Sequence, residues 1–504
     1  MSEGGSEARA AGRGVVLITG AKLYFMVAGY VVQFALPRLL GSAVLFGAYS
    51  TVVAAASILN NVLVTGTIQS VSRFSAERDE RAPSVLRSAI IYQAALAAIV
   101  GAGFFGLSGW VATEFLRKAS LAPTLRLCTV VVVAYAIYAT LIGSLNGRKR
   151  FASQALFDIS FSTLRTGLTL GLAAVGLGVM GAIGGFAGAA TLILAAGLLV
   201  VGIGRRGEGV SLAKYAAFAA PLFAYHLLLN GAMTIDLVLL SRYTSIAAEA
   251  AGHGADAAEQ MANAQAGYYK AAQAFALIPY QAILSVAFVL FPLVSRATFD
   301  KDIEATRKYV ANALRFSLIL VVGGAAVFAS RPAEVIGLVF PPAYRVAAPA
   351  LTVLSGGFVA FSVFVVSSTI LNGAGKTWSA MAAVAVTLAG VVGSNLLLVP
   401  GKLGVAGLSA TATATTIGMV LGCVVAAALV WRVFRALVRP VTLARVAVAA
   451  GVALGVGRLA PDMGKLATLA AAVGVLLLYV VTLVVLGELG REDLRVLSRI
   501  ARRR

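Results

Sequence analysis

Seven ionisable side chains lie within long apolar runs of the sequence, where charged residues are rare. A charge inside a bilayer is costly, so each of these positions is functional by default. They are Lys22, Asp158, Arg165, His226, Asp236, Lys270 and Arg315. With the histidine left aside, four are basic and two acidic. This surplus suits an anionic amphiphile whose phosphate compensates desolvated cations. The residues predicted to bind it are Lys22, Arg165, Lys270 and Asp158.

The same charges also have structural interpretations. Asp158 can pair with Lys22 or with Arg165, which would neutralise both partners. Asp236 and Lys270 fall toward the outer ends of consecutive antiparallel spans, where they can form an interhelical ion pair or a gate. For the single mid-span histidine, His226, a hydrogen-bonded packing role is favoured over proton transfer.

Arg315 and the absence of metal-binding or phosphate-binding motifs complete the list of candidate sites. Arg315 is expected to anchor a helix at the membrane interface. The sequence contains no His, Cys and Asp cluster with metal-ligand spacing and no Gly-Lys-Ser/Thr phosphate loop, so neither a metal nor a cofactor is predicted.

Apolar segments long enough to cross a bilayer must position these charges. The chain has 504 residues, of which 60% are hydrophobic and 12% charged, and a span needs roughly 20 mainly apolar residues. Fourteen segments qualify: 14–36, 44–68, 88–112, 120–146, 152–177, 179–203, 212–240, 267–295, 308–330, 345–371, 376–398, 405–432, 441–459 and 464–487. We therefore predict an all-α polytopic membrane protein.

Basic residues indicate the orientation of these spans. Counted from a cytoplasmic N-terminus, the cytoplasmic segments contain 27 Lys and Arg, the outer segments 11 and the spans 3, which together make the 41 in the chain. Both termini are thus predicted to be cytoplasmic. The net charge of +21 is scattered over many short loops, which anionic lipid explains, so a nucleic-acid partner is not predicted. The basic tail at 488–504 is expected to bind the inner leaflet.

A duplication organises the chain. Leu-Asn-Gly occurs at 145–147 and again at 371–373, a separation of 226, and the same separation relates LGVMG at 177–181 to LGVAG at 403–407. Matching motifs are six spans apart, which indicates a parallel repeat about an axis along the membrane normal. The predicted domains are an N-lobe (1–208), a C-lobe (209–436), two additional spans (437–487) and the tail.

Two similar helical lobes around one axis favour alternating access by rocking of one lobe against the other. Pro221, Pro279 and Pro292 interrupt spans seven and eight as kinks or hinges. The Leu-Asn-Gly motif is interpreted as a helix end, because Asn and Gly both tolerate left-handed backbone.

Four stretches carry a family resemblance: ALPRLLGSAVLFGAYSTV (35–52), GTIQSVSRFSAE (66–77), LNGRKRFASQALFDI (145–159) and the longer segment 267–297. They resemble the polysaccharide transporter family, within the multidrug/oligosaccharidyl-lipid/polysaccharide exporter superfamily. The resemblance implies a V-shaped pair of six-helix lobes in the bacterial inner membrane. It further implies a flippase that moves undecaprenyl-diphosphate-linked oligosaccharide from the inner to the outer leaflet. The implied partners are the lipid-linked glycan, membrane lipid and polysaccharide polymerase or export machinery.

Three other functions stay open. Lipid II flippases of the same superfamily resemble a pattern with Arg five residues before the span-eight Pro, where this chain has Ala274, with Lys270 one turn earlier. A cation-coupled drug antiporter needs membrane carboxylates, and the N-lobe offers only Asp158. A membrane enzyme needs acid and base groups in an extended outer loop. The longest outer loop, 241–266, is Ala-rich with one His, and a surface helix is predicted there.

Overall fold

The computed structural model describes the backbone of residues 3–299, 303–460 and 464–490, with side chains for 14, 16–283, 303–460 and 464–490. The chain is helical throughout these residues, without a strand. The helices are α1 (Glu3–Leu39), α2 (Ala43–Glu77), α3 (Ala82–Trp110), α4 (Ala122–Gly147), α5 (Phe151–Leu172), α6 (Gly178–Val201), α7 (Leu212–Ala250), α8 (Ala255–Phe299), α9 (Ile303–Ser330), α10 (Pro332–Val339), α11 (Ala348–Gly373), α12 (Thr377–Leu398), α13 (Gly404–Phe434), α14 (Pro440–Leu459) and α15 (Gly464–Val485). The all-α prediction is confirmed, and α10 is a short helix that it did not include.

Long helices coincide with the predicted spans. Within the described residues, 12 helical segments are long and apolar enough to cross a membrane, and one of them, Phe151–Val201, comprises both α5 and α6. α8 is not one of the twelve. When α5 and α6 are counted separately and α8 is added, the total is fourteen helices. These fourteen, which are all the helices except α10, correspond one to one with the fourteen predicted spans. The prediction of a long outer loop at 241–266 was wrong, because α7 continues to Ala250 and α8 begins at Ala255, which leaves a connection of only four residues. The helical conformation predicted for this stretch is present, as the end of α7 and the start of α8.

The chain forms two compact units. Unit 1 comprises Met1–Lys270 with Pro400–Leu403, and unit 2 comprises Ala271–Val399 with Gly404–Arg504. The core of unit 1 is aromatic and joins α4, α5 and α6: the Tyr135 ring lies 4.6 Å from that of Phe161, and Tyr138 packs on both Phe157 and Phe161. α7 and the start of α8 are included in unit 1. The lobe boundaries predicted from the repeat stay a prediction.

The two Leu-Asn-Gly motifs end their helices with the same hydrogen bonds. In the first copy, Lys149 N donates to Asn146 O (3.0 Å) and Arg150 N to Leu145 O (2.9 Å); the equivalent bonds in the second copy, from Gly375 N and Lys376 N, are 3.0 and 2.8 Å. This is a Schellman ending. The left-handed residue was misplaced by the sequence argument. It lies two positions after the motif, at Lys149 (φ 56°) and Gly375 (φ 73°).

The glycine of the first motif has a packing role that the motif alone did not indicate. A Cβ added to Gly147 would lie 2.4 Å from the carbonyl oxygen of Ser72 and 2.7 Å from Cβ of Ser75. α4 therefore approaches the backbone of α2 too closely for any larger residue. The contact is reinforced by Ser72, whose hydroxyl donates to the side-chain oxygen of Asn146 over 3.1 Å.

In unit 2, one buried carboxylate attaches the last two helices to α9. Glu488, directly after α15, accepts from Arg315 Nε at 2.7 Å and from the Thr442 hydroxyl at 2.9 Å, and Arg445 lies 3.3 Å from its second oxygen. Burial would raise the pKa of Glu488, but the hydrogen bonds from Arg315 and Thr442 outweigh it and lower the pKa. The predicted anchoring role of Arg315 thus acts through a specific ion pair.

Candidate functional site

Lys22 and Asp158 form an ion pair within unit 1. Nζ of Lys22, on α1, lies 3.0 Å from Oδ2 of Asp158, on α5. The two partners differ in exposure: the lysine side chain is 49% exposed and the aspartate side chain 9%. Pairing neutralises a carboxylate that the apolar environment would otherwise disfavour. Of the two pairings open to Asp158 in the sequence, the structure selects Lys22.

The two helices that carry this pair are joined by further polar contacts. The hydroxyl of Tyr24 lies 2.8 Å from that of Thr163, and Thr166 donates to the carbonyl oxygen of Ala28 over 3.3 Å. Both contacts join α1 to α5 and follow Lys22 along α1. The half-exposed ammonium is therefore presented on a fixed helix pair.

Arg165 lies on α5 two turns beyond Asp158 and makes different contacts. Its guanidinium lies over the ring of Phe186, 4.6 Å from the centroid, and is close to Tyr49. Within the part of the chain that the structure describes, Arg165 forms no ion pair. Tyr135 lies close to both Arg165 and Asp158. Unit 1 thus combines two cations, one carboxylate and two tyrosines on α1, α2, α4 and α5.

Asp236 and Lys270 are also close in space, as predicted. The Asp236 carboxylate is buried, accepts from the Tyr269 hydroxyl at 2.7 Å and acts electrostatically on the Lys270 ammonium. It also accepts from the backbone N–H of Leu237 at 2.8 Å. The group therefore joins α7 to α8 through a tyrosine that the sequence argument missed. The missed signal was a polar aromatic side chain inside a span, which requires a partner for its hydroxyl.

His226 belongs to a polar contact between α2 and α7. Its Nε2 lies 3.4 Å from Nε2 of Gln69, and one turn along α7 the side chain of Asn230 accepts from Asn61 over 2.9 Å. Gly66 allows this close approach, because a Cβ there would lie 2.1 Å from the ring of Phe223. The environment is that of a packing histidine in a helix contact.

The connection between α3 and α4 forms hydrogen bonds to α7 and α8. Lys118 is completely buried, and its ammonium donates to the side-chain oxygen of Asn263 over 2.6 Å. Arg242 donates to the carbonyl oxygen of Glu114 over 3.0 Å. Burial lowers the pKa of Lys118 to about 7, although Glu259 acts in the opposite direction. In the sequence, Lys118 is only one of the 11 basic residues of the predicted outer segments.

Close backbone contact accompanies these bonds. Gly47 on α2 and Gly267 on α8 lie against each other: a Cβ at Gly47 would lie 1.6 Å from the carbonyl oxygen of Asn263 and 2.7 Å from N of Gly267. The two glycines therefore form a helix crossing at the end of unit 1 that contains Lys118.

Comparison with known proteins identifies the class. A family profile described as "Polysaccharide biosynthesis protein" matches residues 11–298, and the chain belongs to this family. An uncharacterised membrane protein of Methanocaldococcus jannaschii is 31% identical over 150 residues, which is 30% of this chain and 29% of that protein. The match thus spans less than a third of its length.

Solved structures share the fold over nearly the whole chain. The lipid II flippase MurJ in an inward closed conformation is similar with a TM-score of 0.75 at 15% identity, over 93% of this chain and 98% of that one. A single-residue mutant of the Vibrio cholerae MATE transporter VcmN gives a TM-score of 0.58 at 15% identity, over 86% and 98% of the two chains. An inward-facing multidrug resistance MATE transporter of the MOP superfamily gives 0.60 at 18%, over 82% and 94%. The protein is a polytopic membrane protein of the polysaccharide biosynthesis family with the fold that MurJ and the MATE transporters share.

Proposed function

We propose that this protein is a flippase that moves undecaprenyl-diphosphate-linked oligosaccharide, a precursor of cell-surface polysaccharide, from the inner to the outer leaflet. The observation that carries the proposal is the surplus of cationic charge in the spans of unit 1. Asp158 pairs with Lys22, whose ammonium is half exposed, whereas Arg165 forms no ion pair within the described residues. A diphosphate can therefore bind beside the existing pair and compensate the second cation.

The roles follow from the contacts of each residue. Lys22 and Arg165 would bind the diphosphate, Asp158 would hold Lys22 in position, and Lys270 would add a further cation close to Asp236. The Asp236 group and His226, which lie in contacts of α7 with α8 and α2, would change partners during alternating access. Further proposals, from charge distribution and family, are a bacterial inner-membrane location, cytoplasmic termini and functional association with a polysaccharide polymerase or export machinery.

Peptidoglycan precursor is the second candidate substrate, supported by the structural similarity to a lipid II flippase. The position five residues before Pro279 is Ala274, which is buried, so Lys270 is the nearest cation available one turn earlier. A MATE-like cation antiporter is less well supported. Asp158 is paired with Lys22, and Asp236 accepts a hydrogen bond from Tyr269. A cationic drug or coupling ion would therefore have to displace Lys22 or Tyr269 to reach a carboxylate.

The test is flipping in liposomes. The purified protein is reconstituted with fluorescent undecaprenyl-diphosphate oligosaccharide, with lipid II, or with a fluorescent organic cation under a sodium or proton gradient, and accessibility to an external quencher is followed. We expect protein-dependent flipping of the oligosaccharide lipid that is lost in Lys22→Ala and retained in Lys402→Ala. Lys402 is an exposed cation in the α12–α13 connection, so this control removes the same charge elsewhere. Gradient-driven cation efflux without flipping of either lipid would contradict the proposal.

A further inference from the structure

A second cationic site lies in unit 1, away from the ion pair of α1 and α5. A cavity of about 430 Å³ opens where α2 ends, α3 begins and the connection 202–211 leads into α7. Its lining residues are Phe74, Glu77, Arg78, Arg81, Val85, Gly209, Val210, Ser211 and Lys214. The volume falls in the range of small-ligand pockets, about 300–1,000 Å³.

Three of the lining side chains are cations and one is an anion. Lys214 pairs with Glu77 at 3.3 Å, and Arg81 pairs with Glu208 on the connection. Arg78, by contrast, forms no ion pair with any residue in the described ranges. The cavity therefore has one positive charge without a counter-charge, and the two pairs are at most about half buried. Exposed pairs of this kind are weak, so an incoming dianion can take over their cations.

The wall formed by the connection is held in place before any ligand binds. Arg205 N donates to the carbonyl oxygen of Pro83 over 3.1 Å, and the Tyr92 hydroxyl donates to that of Val210 over 3.0 Å. A Cβ at Gly209 would lie 2.0 Å from the hydroxyl oxygen of Ser88, so the connection lies directly on α3. A fixed wall lowers the ordering cost of binding.

The remaining side of the cavity is aromatic. Phe74 packs edge-on against Phe218 with the centroids 5.7 Å apart, and the Lys214 ammonium lies 5.4 Å from the centroid of the Phe74 ring. Cations and an apolar floor are thus combined in one cavity at the end of a span.

We propose that this cavity binds a phosphate monoester, either as the head group of an anionic lipid or as a soluble phosphate compound. A phosphate monoester has three acceptor oxygens and a charge near −2 at neutral pH, which matches Arg78 together with Arg81 or Lys214. Guanidinium groups bind such oxygens in bidentate fashion. The site is separate from the group around Lys22, because none of its residues belongs to that group.

Two binding measurements on the full-length protein distinguish the two sources. Inorganic phosphate is titrated calorimetrically into the protein in phosphatidylcholine nanodiscs, which tests a soluble ligand. Adducts with phosphatidic acid and with phosphatidylcholine are quantified by native mass spectrometry of the detergent-solubilised protein, which tests a lipid head group. The variants are Arg78→Gln and Lys214→Gln, and the matched control is Arg206→Gln, an exposed arginine of the same connection that does not line the cavity.

We expect either phosphate or phosphatidic acid to bind, with an affinity that falls about tenfold in Arg78→Gln, as for the loss of one charged hydrogen bond, and by a similar factor in Lys214→Gln. Arg206→Gln should bind as the wild type does, and Arg78→Lys should bind more tightly than Arg78→Gln but less tightly than the wild type, because it keeps the charge and loses the bidentate geometry. Binding of neither probe would overturn the proposal. So would an equal loss in Arg206→Gln, since that would indicate general attraction to a basic surface. Thermal melting of each variant identifies any loss that is due to unfolding.

Discussion

The ion pair between Lys22 and Asp158 should respond asymmetrically to removal of its two partners. Replacing Lys22 with Met leaves a carboxylate that is only 9% exposed without a cation, whereas replacing Asp158 with Asn leaves an ammonium that is already 49% exposed. Removing one partner of a fully buried pair costs about 3–5 kcal/mol. Because the lysine is half exposed, we discount this figure to about 2 kcal/mol for Lys22→Met. For Asp158→Asn we expect about 0–1 kcal/mol, the range of exposed pairs.

The double variant K22M/D158N separates structure from transport. It removes both charges, so its free energy of unfolding should return to within about 1 kcal/mol of the wild-type value, as when a buried pair is replaced by uncharged residues. Flipping should nevertheless stay at least about tenfold slower, because a charged contact to the diphosphate is missing. Unfolding is measured in detergent–SDS mixtures, and flipping in liposomes with Lys402→Met as the charge-matched control.

Two outcomes would refute this reasoning. Recovery of both stability and flipping in the double variant would mean that Lys22 serves only to neutralise Asp158. Equal destabilisation by the two single variants would mean that the difference in exposure does not determine which charge is costly. In the first case the cation that binds the substrate would have to be sought elsewhere, with Arg165→Gln as the next variant.

Three further predictions concern stability. Because the pKa of Lys118 is lowered to about 7 in the folded protein, the opened chain binds a proton that the folded chain does not as pH falls from about 10 towards that value, so the stability of this connection should fall over that window; the hydrogen-exchange protection factors of 111–121, corrected for the intrinsic exchange rate at each pH, should then fall, and Lys118→Met should abolish this pH dependence. Glu488→Gln should cost about 2 kcal/mol, less than a fully buried pair because Arg315 and Arg445 are partly exposed, and limited proteolysis should release α14 and α15 first. Gly147→Ala should destabilise by about 1–3 kcal/mol through overpacking, whereas Gly103→Ala, with open space around it, should be neutral or stabilising in the same melt.

The membrane class and the helix positions could be predicted because they depend on local sequence. An apolar run of bilayer length has to form its own hydrogen bonds as a helix, so the spans followed from hydropathy. The repeat followed from motif spacing, and the equivalent hydrogen bonds after Asn146 and Asn372 reflect the same local rules of helix termination.

Which side chains meet was decided by tertiary structure. The sequence left Asp158 with two partners, and only the packing of α1 on α5 selects Lys22. The spans place Tyr269 next to Lys270, but only the crossing of α7 and α8 brings its hydroxyl to Asp236. Lys118 and Asn263 lie 145 residues apart, and the cavity at Arg78 joins three separate segments of unit 1. Sequence alone determined which segments form helices of membrane-spanning length, because that depends on the composition of each segment, whereas the pairing of charges depends on helix contacts made through close approaches such as Gly47 with Gly267.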